Sequence, residues 1–170
     1  MHGFVPPDDF IPLAEQTGAI RHVTQWALRT ACQQLKNWRN DGYHFGVAVN
    51  ISAIDLVDMS LPSSIAELLR EFDIPASALT MEVTESAVMS DAKNALKALN
   101  TLRTMGISLS IDDFGTGYSS MAQLKKMPVD ELKIDKAFVL DLAQNQEDRV
   151  MVKTLVSLAQ NLGLTTVAEG

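Results

Sequence analysis

Two adjacent carboxylates, Asp112 and Asp113, end an apolar segment of the sequence and are followed at once by the turn Gly115-Thr116-Gly117. Neighbouring negative charges that are partly removed from water repel each other unless a cation or a proton compensates them. Carboxylate oxygens are the ligands that Mg²⁺, Mn²⁺ and Ca²⁺ prefer. The pair therefore indicates a divalent-ion site, and the glycines indicate a loop beside it.

Four other apolar segments also deliver a polar residue at or near their carboxyl ends: Asn50, Glu82, Lys133 and Glu169. One such residue can be a solvated strand terminus, but five of five segments with this feature are hard to attribute to chance. In parallel α/β folds the functional site lies at the carboxyl ends of the strands. We therefore expect these side chains to converge.

The chemistry of this set favours phosphoester hydrolysis over other reactions. The acidic residues and Asn50 offer only oxygen ligands, and the three histidines of the chain fall in loops or on a helix, which argues against zinc. Two neighbouring aspartates can each face a different ion. Carboxylates, a lysine and paired divalent ions together describe two-metal hydrolysis of a phosphoester.

The elements that must position these residues alternate between strands and helices. The first helix is predicted to follow an N-cap at Asp8 or Asp9 and to stop at Gly18. Helical spacing predicts further helices over residues 21–38, 63–72, 91–105, 120–126 and 146–162. Strands are predicted over residues 45–52, 79–86, 107–113, 131–135 and 164–169. This order predicts βα units on a parallel sheet; a doubly wound sheet and a barrel both fit, but only a barrel gathers all the strand ends into one mouth.

Composition limits the class of protein. The chain has 170 residues, 46% of them hydrophobic and 21% charged, which is typical of a globular domain. The net charge of -7 argues against a nucleic-acid polymer as partner. The single cysteine, Cys32, lies among apolar neighbours and is interpreted as a core residue. No apolar segment is long enough to span a bilayer and no signal peptide is evident, so a cytoplasmic location is expected.

Two other motifs are weaker. The glycines after Asp113 resemble a dinucleotide-binding loop, but that pattern requires a glycine where Ser120 stands. Asp113-Phe114-Gly115 also spells the metal-binding triplet of kinases, yet the catalytic-loop and lysine-strand motifs of kinases are absent from the sequence.

Six stretches carry a resemblance to a known family. In order along the chain they are GFVPPDDFIPLAEQTG, VNIS, LTMEVTES, SIDDFGTGYSS, ELKID and VAEG. At these separations they resemble the EAL-domain cyclic di-GMP phosphodiesterases over essentially the whole chain. The resemblance implies an α/β, (β/α)8 TIM-barrel-like EAL fold, incomplete here with about five βα units. It also implies hydrolysis of cyclic di-GMP to linear pGpG with two Mg²⁺ or Mn²⁺ ions. We expect Ca²⁺ to inhibit, because its looser coordination positions a nucleophile poorly.

The resemblance also assigns roles to individual residues. The residues that would bind the ions are Asn50, Glu82, Asp112 and Asp113. Lys133 would hold the attacking water, and Glu169 would act as general base or support the metal site. Glu85 would anchor the loop over residues 113–120, and this loop would help couple ligand binding and dimerisation to the metal site.

The resemblance further predicts that residues 1–170 are a single, partial EAL domain. The family's Glu-Ala-Leu strand would precede Met1, and a further strand and helix would follow Gly170, in a parent protein whose other regions could anchor it to a membrane. Five strands cannot close an eight-stranded barrel. We therefore expect impaired turnover and self-association, as a homodimer or otherwise, through open strand edges that leave Val47, Val49 and Val167 uncovered. The alternative is a catalytically inactive module that binds cyclic di-GMP or a protein partner.

Overall fold

The computed structural model describes residues 3–115 and 124–169. The strands are β1 (Val47–Asn50), β2 (Leu79–Thr84), β3 (Ser108–Phe114), β4 (Glu131–Ile134) and β5 (Thr165–Ala168). The helices are α1 (Pro7–Thr17), α2 (Ile20–Asn40), α3 (Ala53–Leu56), α4 (Leu61–Phe72), α5 (Glu85–Ser90), α6 (Ala92–Thr104), α7 (Lys136–Val139) and α8 (Gln146–Leu162). The helix predicted over residues 120–126 and the loop that follows Gly115 lie largely outside the described residues.

The five strands form one parallel sheet in the order β1-β2-β3-β4-β5. The prediction of βα units on a parallel sheet is therefore confirmed. A doubly wound sheet reverses its strand order at a switch point, whereas the strands of a βα barrel follow each other around the wall. The sequential order of the described strands is that of a barrel wall.

The two faces of the sheet differ in character because side chains alternate along each strand. On β2, Leu79, Met81 and Val83 are buried, and the residues between them are only half-buried. The apolar face packs against α2, α6 and α8 and forms the hydrophobic core. Cys32 belongs to this core and is fully buried, as predicted. The polar residues therefore project from the opposite face of the sheet, which is the inner face of a barrel.

The first helix begins differently from the prediction. Pro6 occupies the N-cap position, with no side-chain hydrogen bond, and Pro7 is the first helical residue. Asp8 and Asp9, predicted as alternative N-caps, lie in the first turn instead. Proline fits the first helical position because its fixed φ suits the helix and its missing N–H is not needed there. Carboxylates in the first turn then interact favourably with the helix dipole.

Strand β1 is shorter and less buried than predicted. Val49 packs into the core, whereas Ala48 and Asn50 are exposed. The expectation that Val49 would be an uncovered, barrel-facing residue is wrong. Since alternation puts Asn50 on the inner face, Val49 must point to the helices. Val167, which pairs with Lys133 on β4, lies on the inner face and is 37% exposed.

Short helices that the sequence analysis missed follow three of the strands. The side chains of Ser52, Thr84 and Asp135 accept hydrogen bonds from backbone N–H groups in the first turns of α3, α5 and α7. Serine, threonine and aspartate are favoured N-caps because their oxygens satisfy an N–H that has no partner inside the helix. These caps fix the direction of the chain where the strand-end residues are presented.

Candidate active site

Lys133 on β4 lies at the centre of a cluster of carboxylates. Its Nζ is 3.2 Å from Glu82 Oε1, 3.2 Å from Asp112 Oδ2 and 2.6 Å from Glu169 Oε1. The Lys133 side chain is 11% exposed, and those of Glu82 and Asp112 are nearly as buried. Carboxylates from β2 and β3, and from Glu169 directly after β5, thus contact the ammonium group of Lys133 on β4. This arrangement agrees with the convergence that the sequence predicts.

The protonation of Lys133 follows from two opposing effects. Partial burial on its own lowers the pKa of the ammonium group, but the hydrogen bonds to Glu169, Asp112 and Glu82 together outweigh it and raise the pKa. Lys133 therefore carries its positive charge at all physiological pH values. It is a fixed cation rather than a proton donor.

A β-bulge brings the two aspartates to the same place. The register shifts between Ile111 and Phe114, so that Asp112 and Asp113 both stand opposite Lys133. In a regular strand two consecutive side chains would point to opposite faces, but the extra residue of a bulge redirects one of them. Asp113 has φ 53°, in the left-handed region that aspartate and asparagine tolerate better than other side chains. Its carboxylate therefore reaches the side of the sheet on which Asp112 lies.

Asp113 has a strongly perturbed environment. Burial is the largest cause that raises its pKa, to about 6, followed by a hydrogen bond with Asp135 and by the negative charges of Asp112, Asp135 and Glu169. Carboxylate oxygens of Asp112, Asp113 and Glu169 lie within 4.8 Å of one another. A cation next to these oxygens would relieve the repulsion that raises the pKa of Asp113.

Asn50 lies beside this cluster without contacting Lys133 directly. It pairs in register with Glu82 on the adjacent strand. It also lines a groove of about 1030 Å³ together with Asp112 and Asp113. The groove continues past Thr24 and Trp26 on α2. An elongated ligand in this groove would contact both α2 and the carboxylate cluster.

Glu85 stands apart from the cluster, at the start of α5. Its side chain is buried, and its Oε2 accepts a hydrogen bond of 3.4 Å from the backbone N–H of Gly115. Gly115 has φ 102°, and a Cβ on it would lie 3.3 Å from both Leu155 and Phe138. A side chain at position 115 would therefore be strained and crowded. Glu85 holds the residue from which the chain leaves β3 for the loop.

One residue of the cluster was missed by the sequence analysis. Asp135 follows β4 directly and shares a hydrogen bond with Asp113, while its Oδ1 caps α7 at 2.6 Å from the Ala137 N–H. The signal was present, because Asp135 is a carboxylate just after an apolar segment, as Asp112 is. Lys133, two residues earlier, is also polar, so the pattern of one polar residue per strand end does not single out Asp135.

Comparison with known proteins adds the family. A model of the EAL domain matches residues 1–170, the whole chain. The chain belongs to the EAL-domain family. Its resemblance to the cyclic di-GMP phosphodiesterases of that family, inferred above from six motifs, is confirmed.

Several relatives of this EAL domain are cyclic di-GMP phosphodiesterases by name. MucR of Pseudomonas aeruginosa, a bifunctional diguanylate cyclase/cyclic di-GMP phosphodiesterase, is 43% identical over 99% of this chain and 25% of its own length. The cyclic di-GMP phosphodiesterase NbdA of the same organism is 41% identical over 99% of this chain and 22% of its own length. The chain thus spans about a quarter or less of these relatives.

The solved structure of the MucR phosphodiesterase in complex with cyclic di-GMP superimposes with a TM-score of 0.94. It is 43% identical, and the match covers all of this chain and 69% of that one. The TM-score confirms the barrel-like EAL architecture that the sequence predicts, with five of its parallel strands.

Among the described residues, no helix is both long and apolar enough to cross a membrane.

The donor set of this EAL domain fits divalent metal ions. The residues within 4.8 Å of one another offer only carboxylate oxygens, which suit Mg²⁺ and Mn²⁺. Among the described residues, the carboxylates of Glu82, Asp112 and Glu169 contact the Lys133 ammonium group, and the carboxylate of Asp113 lies near the last two. When all are ionised, four negative charges against one positive leave an excess of three. A cluster with that excess in a half-buried site is stabilised by added cations.

Proposed function

We propose that this chain carries the catalytic residues of a cyclic di-GMP phosphodiesterase, which hydrolyses cyclic di-GMP to linear pGpG. The observation that supports the proposal most directly is the contact of Lys133 with Glu82, Asp112 and Glu169, beside the bulged Asp113. A module that only binds a nucleotide does not need a buried cation amid so many carboxylates. The similarity to MucR and NbdA, both cyclic di-GMP phosphodiesterases, supports the same substrate.

The reaction adds one water to one phosphodiester. The water oxygen bonds to phosphorus, the bond from phosphorus to the ribose 3′ oxygen breaks, and that oxygen receives a proton. In the proposed mechanism Lys133 donates a hydrogen bond to the attacking water, and Glu169, 2.6 Å from Lys133, accepts its proton or supports the metal site. Glu85 accepts a hydrogen bond from the Gly115 N–H, and through this contact it would anchor the loop that helps couple ligand binding and dimerisation to these residues.

Two Mg²⁺ or Mn²⁺ ions belong to the proposal. Asn50, Glu82, Asp112 and Asp113 would hold them, and when bound they would supply Lewis-acid activation and neutralise charge on the phosphate oxygens. The excess negative charge of the cluster supports this assignment.

Metal binding gives the first prediction. At about 100 times its dissociation constant, Mn²⁺ should stabilise the folded chain by about 2.7 kcal/mol, or roughly 5–10 °C in Tm. Asp113→Asn should not lower the metal-free Tm, because asparagine tolerates a left-handed backbone and carries no charge for the neighbouring carboxylates to repel, but it should reduce the Mn²⁺ effect. Differential scanning fluorimetry with and without Mn²⁺ measures both quantities.

Asp73 provides a matched control. It also has a left-handed backbone, φ 54°, but its side chain is 94% exposed and lies at the end of α4. Asp73→Asn should therefore respond to Mn²⁺ like the parent. An equal Mn²⁺ response in the parent and in Asp113→Asn would show that Asp113 is not a ligand.

Ca²⁺ should also raise the Tm but inhibit turnover, because its flexible coordination orients a nucleophile poorly.

The formation of linear pGpG tests the proposed function. We suggest replacing the matching segment of the MucR phosphodiesterase by residues 1–170, since the match covers 69% of that solved chain. With Mn²⁺ the chimera should convert cyclic di-GMP to pGpG, as detected by anion-exchange chromatography, with the MucR domain as positive control. A chimera that binds cyclic di-GMP tightly but forms no pGpG would overturn the proposal in favour of a binding module.

We further propose that residues 1–170 act as one partial domain that self-associates and turns over slowly when alone. Strands β1 and β5 are the edges of the described sheet, and open edges favour pairing with another chain. Sedimentation velocity should detect association that increases with concentration and weakens in Ala48→Lys, since a lysine on an edge strand opposes pairing. A parent chain that stays monomeric at high micromolar concentration would contradict this expectation.

A further inference from the structure

A buried polar network lies at the carboxyl end of β1, outside the carboxylate cluster. Asp55 on α3 and Thr24 on α2 are 4% and 5% exposed. Asp55 Oδ2 accepts two short hydrogen bonds, 2.6 Å from Thr24 Oγ1 and 2.7 Å from Ser52 Oγ. In return, the Asp55 N–H donates to Ser52 Oγ at 3.2 Å. Charge-assisted hydrogen bonds of this length are strong and directional. The network therefore holds Ser52 against Asp55 and, through Asp55, against Thr24 of α2.

Ser52 is two residues from Asn50, and the backbone between them is also fixed. The Ile51 N–H donates to the Glu82 carbonyl at 2.8 Å, which continues the pairing of β1 with β2 by one residue. The chain from Asn50 to Ser52 is thus held on one side by the backbone of Glu82 and on the other by Asp55. Both Asn50 and Glu82 are residues that the proposed function assigns to the ions.

The network and the cluster face the same space. Thr24 and Ser52 line the groove that Asn50, Asp112 and Asp113 also line. Within residues 3–115 and 124–169, the Asp55 side chain forms its hydrogen bonds with Thr24 and Ser52 and none with the carboxylate cluster. Any effect on the ions must therefore pass through Ser52 and the backbone. Removing a residue that orients a metal ligand without contacting the metal typically weakens metal affinity by about 10–100-fold.

We propose that Asp55 is a positioning residue which, through Ser52 and against Thr24, fixes the direction in which Asn50 presents its side chain to the metal site. This inference rests on the proposed function for the ions, but the orientation of Asn50 is a property of the metal-free chain. The network couples α2, which forms one wall of the groove, to the ion ligand on β1.

The experiment compares the 170-residue chain with Asp55→Ala, Asp55→Asn and Asp58→Ala. Asp58 is the matched control, because it also ties α2 to this region, through Arg21 at 3.0 Å, but does not contact Ser52. Two quantities are measured: the Mn²⁺ dissociation constant by isothermal titration calorimetry, and the NMR resonances of the Asn50 side-chain amide without metal.

Asp55→Ala should weaken Mn²⁺ binding about tenfold and shift the Asn50 amide resonances. Asp55→Asn should recover most of the affinity, since an amide oxygen can accept the same two hydroxyl hydrogen bonds. Asp58→Ala should change neither quantity. If Asp55→Ala does not fold, Ser52→Ala removes the same link while Asp55 keeps Thr24, and it should show the same weakening and the same shifts.

Two results would overturn the inference. One is a foldable Asp55→Ala or Ser52→Ala variant with parental Mn²⁺ affinity and unchanged Asn50 resonances. The other is equal weakening in Asp55→Ala and Asp58→Ala, which would indicate a general loss of stability. If the parent chain itself binds no Mn²⁺, the metal assignment of the proposed function fails, and the Asn50 resonances alone decide whether Asp55 positions that side chain.

Discussion

Lys133→Met should destabilise the metal-free chain by about 3 kcal/mol, the typical cost of removing one partner from a buried ion pair. Methionine keeps much of the volume of lysine but leaves Glu82, Asp112 and Glu169 without the ammonium group that all three contact. Urea unfolding of the parent and the variant measures the difference. Lys136→Met, which removes an exposed lysine three residues later, should stay within about 0.5 kcal/mol of the parent.

The effects of Mn²⁺ and of pH on the stability of Lys133→Met provide two further tests. Because a divalent ion replaces the missing countercharge, Mn²⁺ should stabilise Lys133→Met more than the parent. The raised pKa of Lys133 means that its contribution is complete below the ordinary value of 10.5 and is lost as the pH rises through the higher folded value. The difference in the free energy of unfolding between the parent and Lys133→Met should therefore persist across neutral pH. A variant as stable as the parent in EDTA would show that the ammonium group does not hold the cluster together.

The strand-end residues could be predicted from sequence because two simple regularities act together. Apolar segments of strand length followed by one polar residue predict both the sheet and the edge at which those residues meet, and Glu82, Asp112, Lys133 and Glu169 meet there. The order of the elements predicts a parallel sheet, and spacing alone gave the bounds of α8.

The finer geometry depends on contacts between distant residues. Nothing local to Asp112 and Asp113 indicates the bulge, which is a property of how β3 pairs with β4. The hydrogen bond between Thr24 and Asp55 joins residues 31 positions apart, so no window along the sequence reveals it. The side of Val49 was predicted wrongly for a different reason. Assigning Asn50 to the site already implies, by alternation along the strand, that Val49 points to the helices.

Glu169→Gln in the chimera should lower the rate of pGpG formation by on the order of 100-fold or more, the typical contribution of a general base. Glutamine keeps the shape of the side chain but cannot accept a proton from water. The Glu169 backbone is held by its N–H, which donates to the Ile134 carbonyl at 3.1 Å. The substitution should therefore leave the affinity for cyclic di-GMP nearly unchanged. Chromatography of the product gives the rate, and calorimetry gives the affinity.

Glu131→Gln is the control for Glu169→Gln. Glu131 lies two residues before Lys133 on β4, and its Oε1 accepts a hydrogen bond of 2.9 Å from Ser110. A glutamine oxygen can accept that bond as well, so Glu131→Gln should keep most of the turnover. A Glu169→Gln chimera as active as this control would remove Glu169 from the mechanism.

The Mn²⁺ dependence of the Glu169→Gln chimera separates the two roles open to this residue. If Glu169 acts as general base, the rate stays low however much Mn²⁺ is added, because the missing proton acceptor is not replaced by metal. If Glu169 supports the metal site, its loss weakens ion binding, and saturating Mn²⁺ restores the rate. Glu169 Oε1 lies 2.6 Å from Lys133 Nζ and within 4.8 Å of the nearest oxygens of Asp112 and Asp113, so both roles fit its position. A titration of the rate from micromolar to millimolar Mn²⁺ decides between them, with Lys133→Met measured in parallel. Lys133→Met should lower the rate at every Mn²⁺ concentration, since a metal ion that replaces its charge does not replace its hydrogen bond to the water.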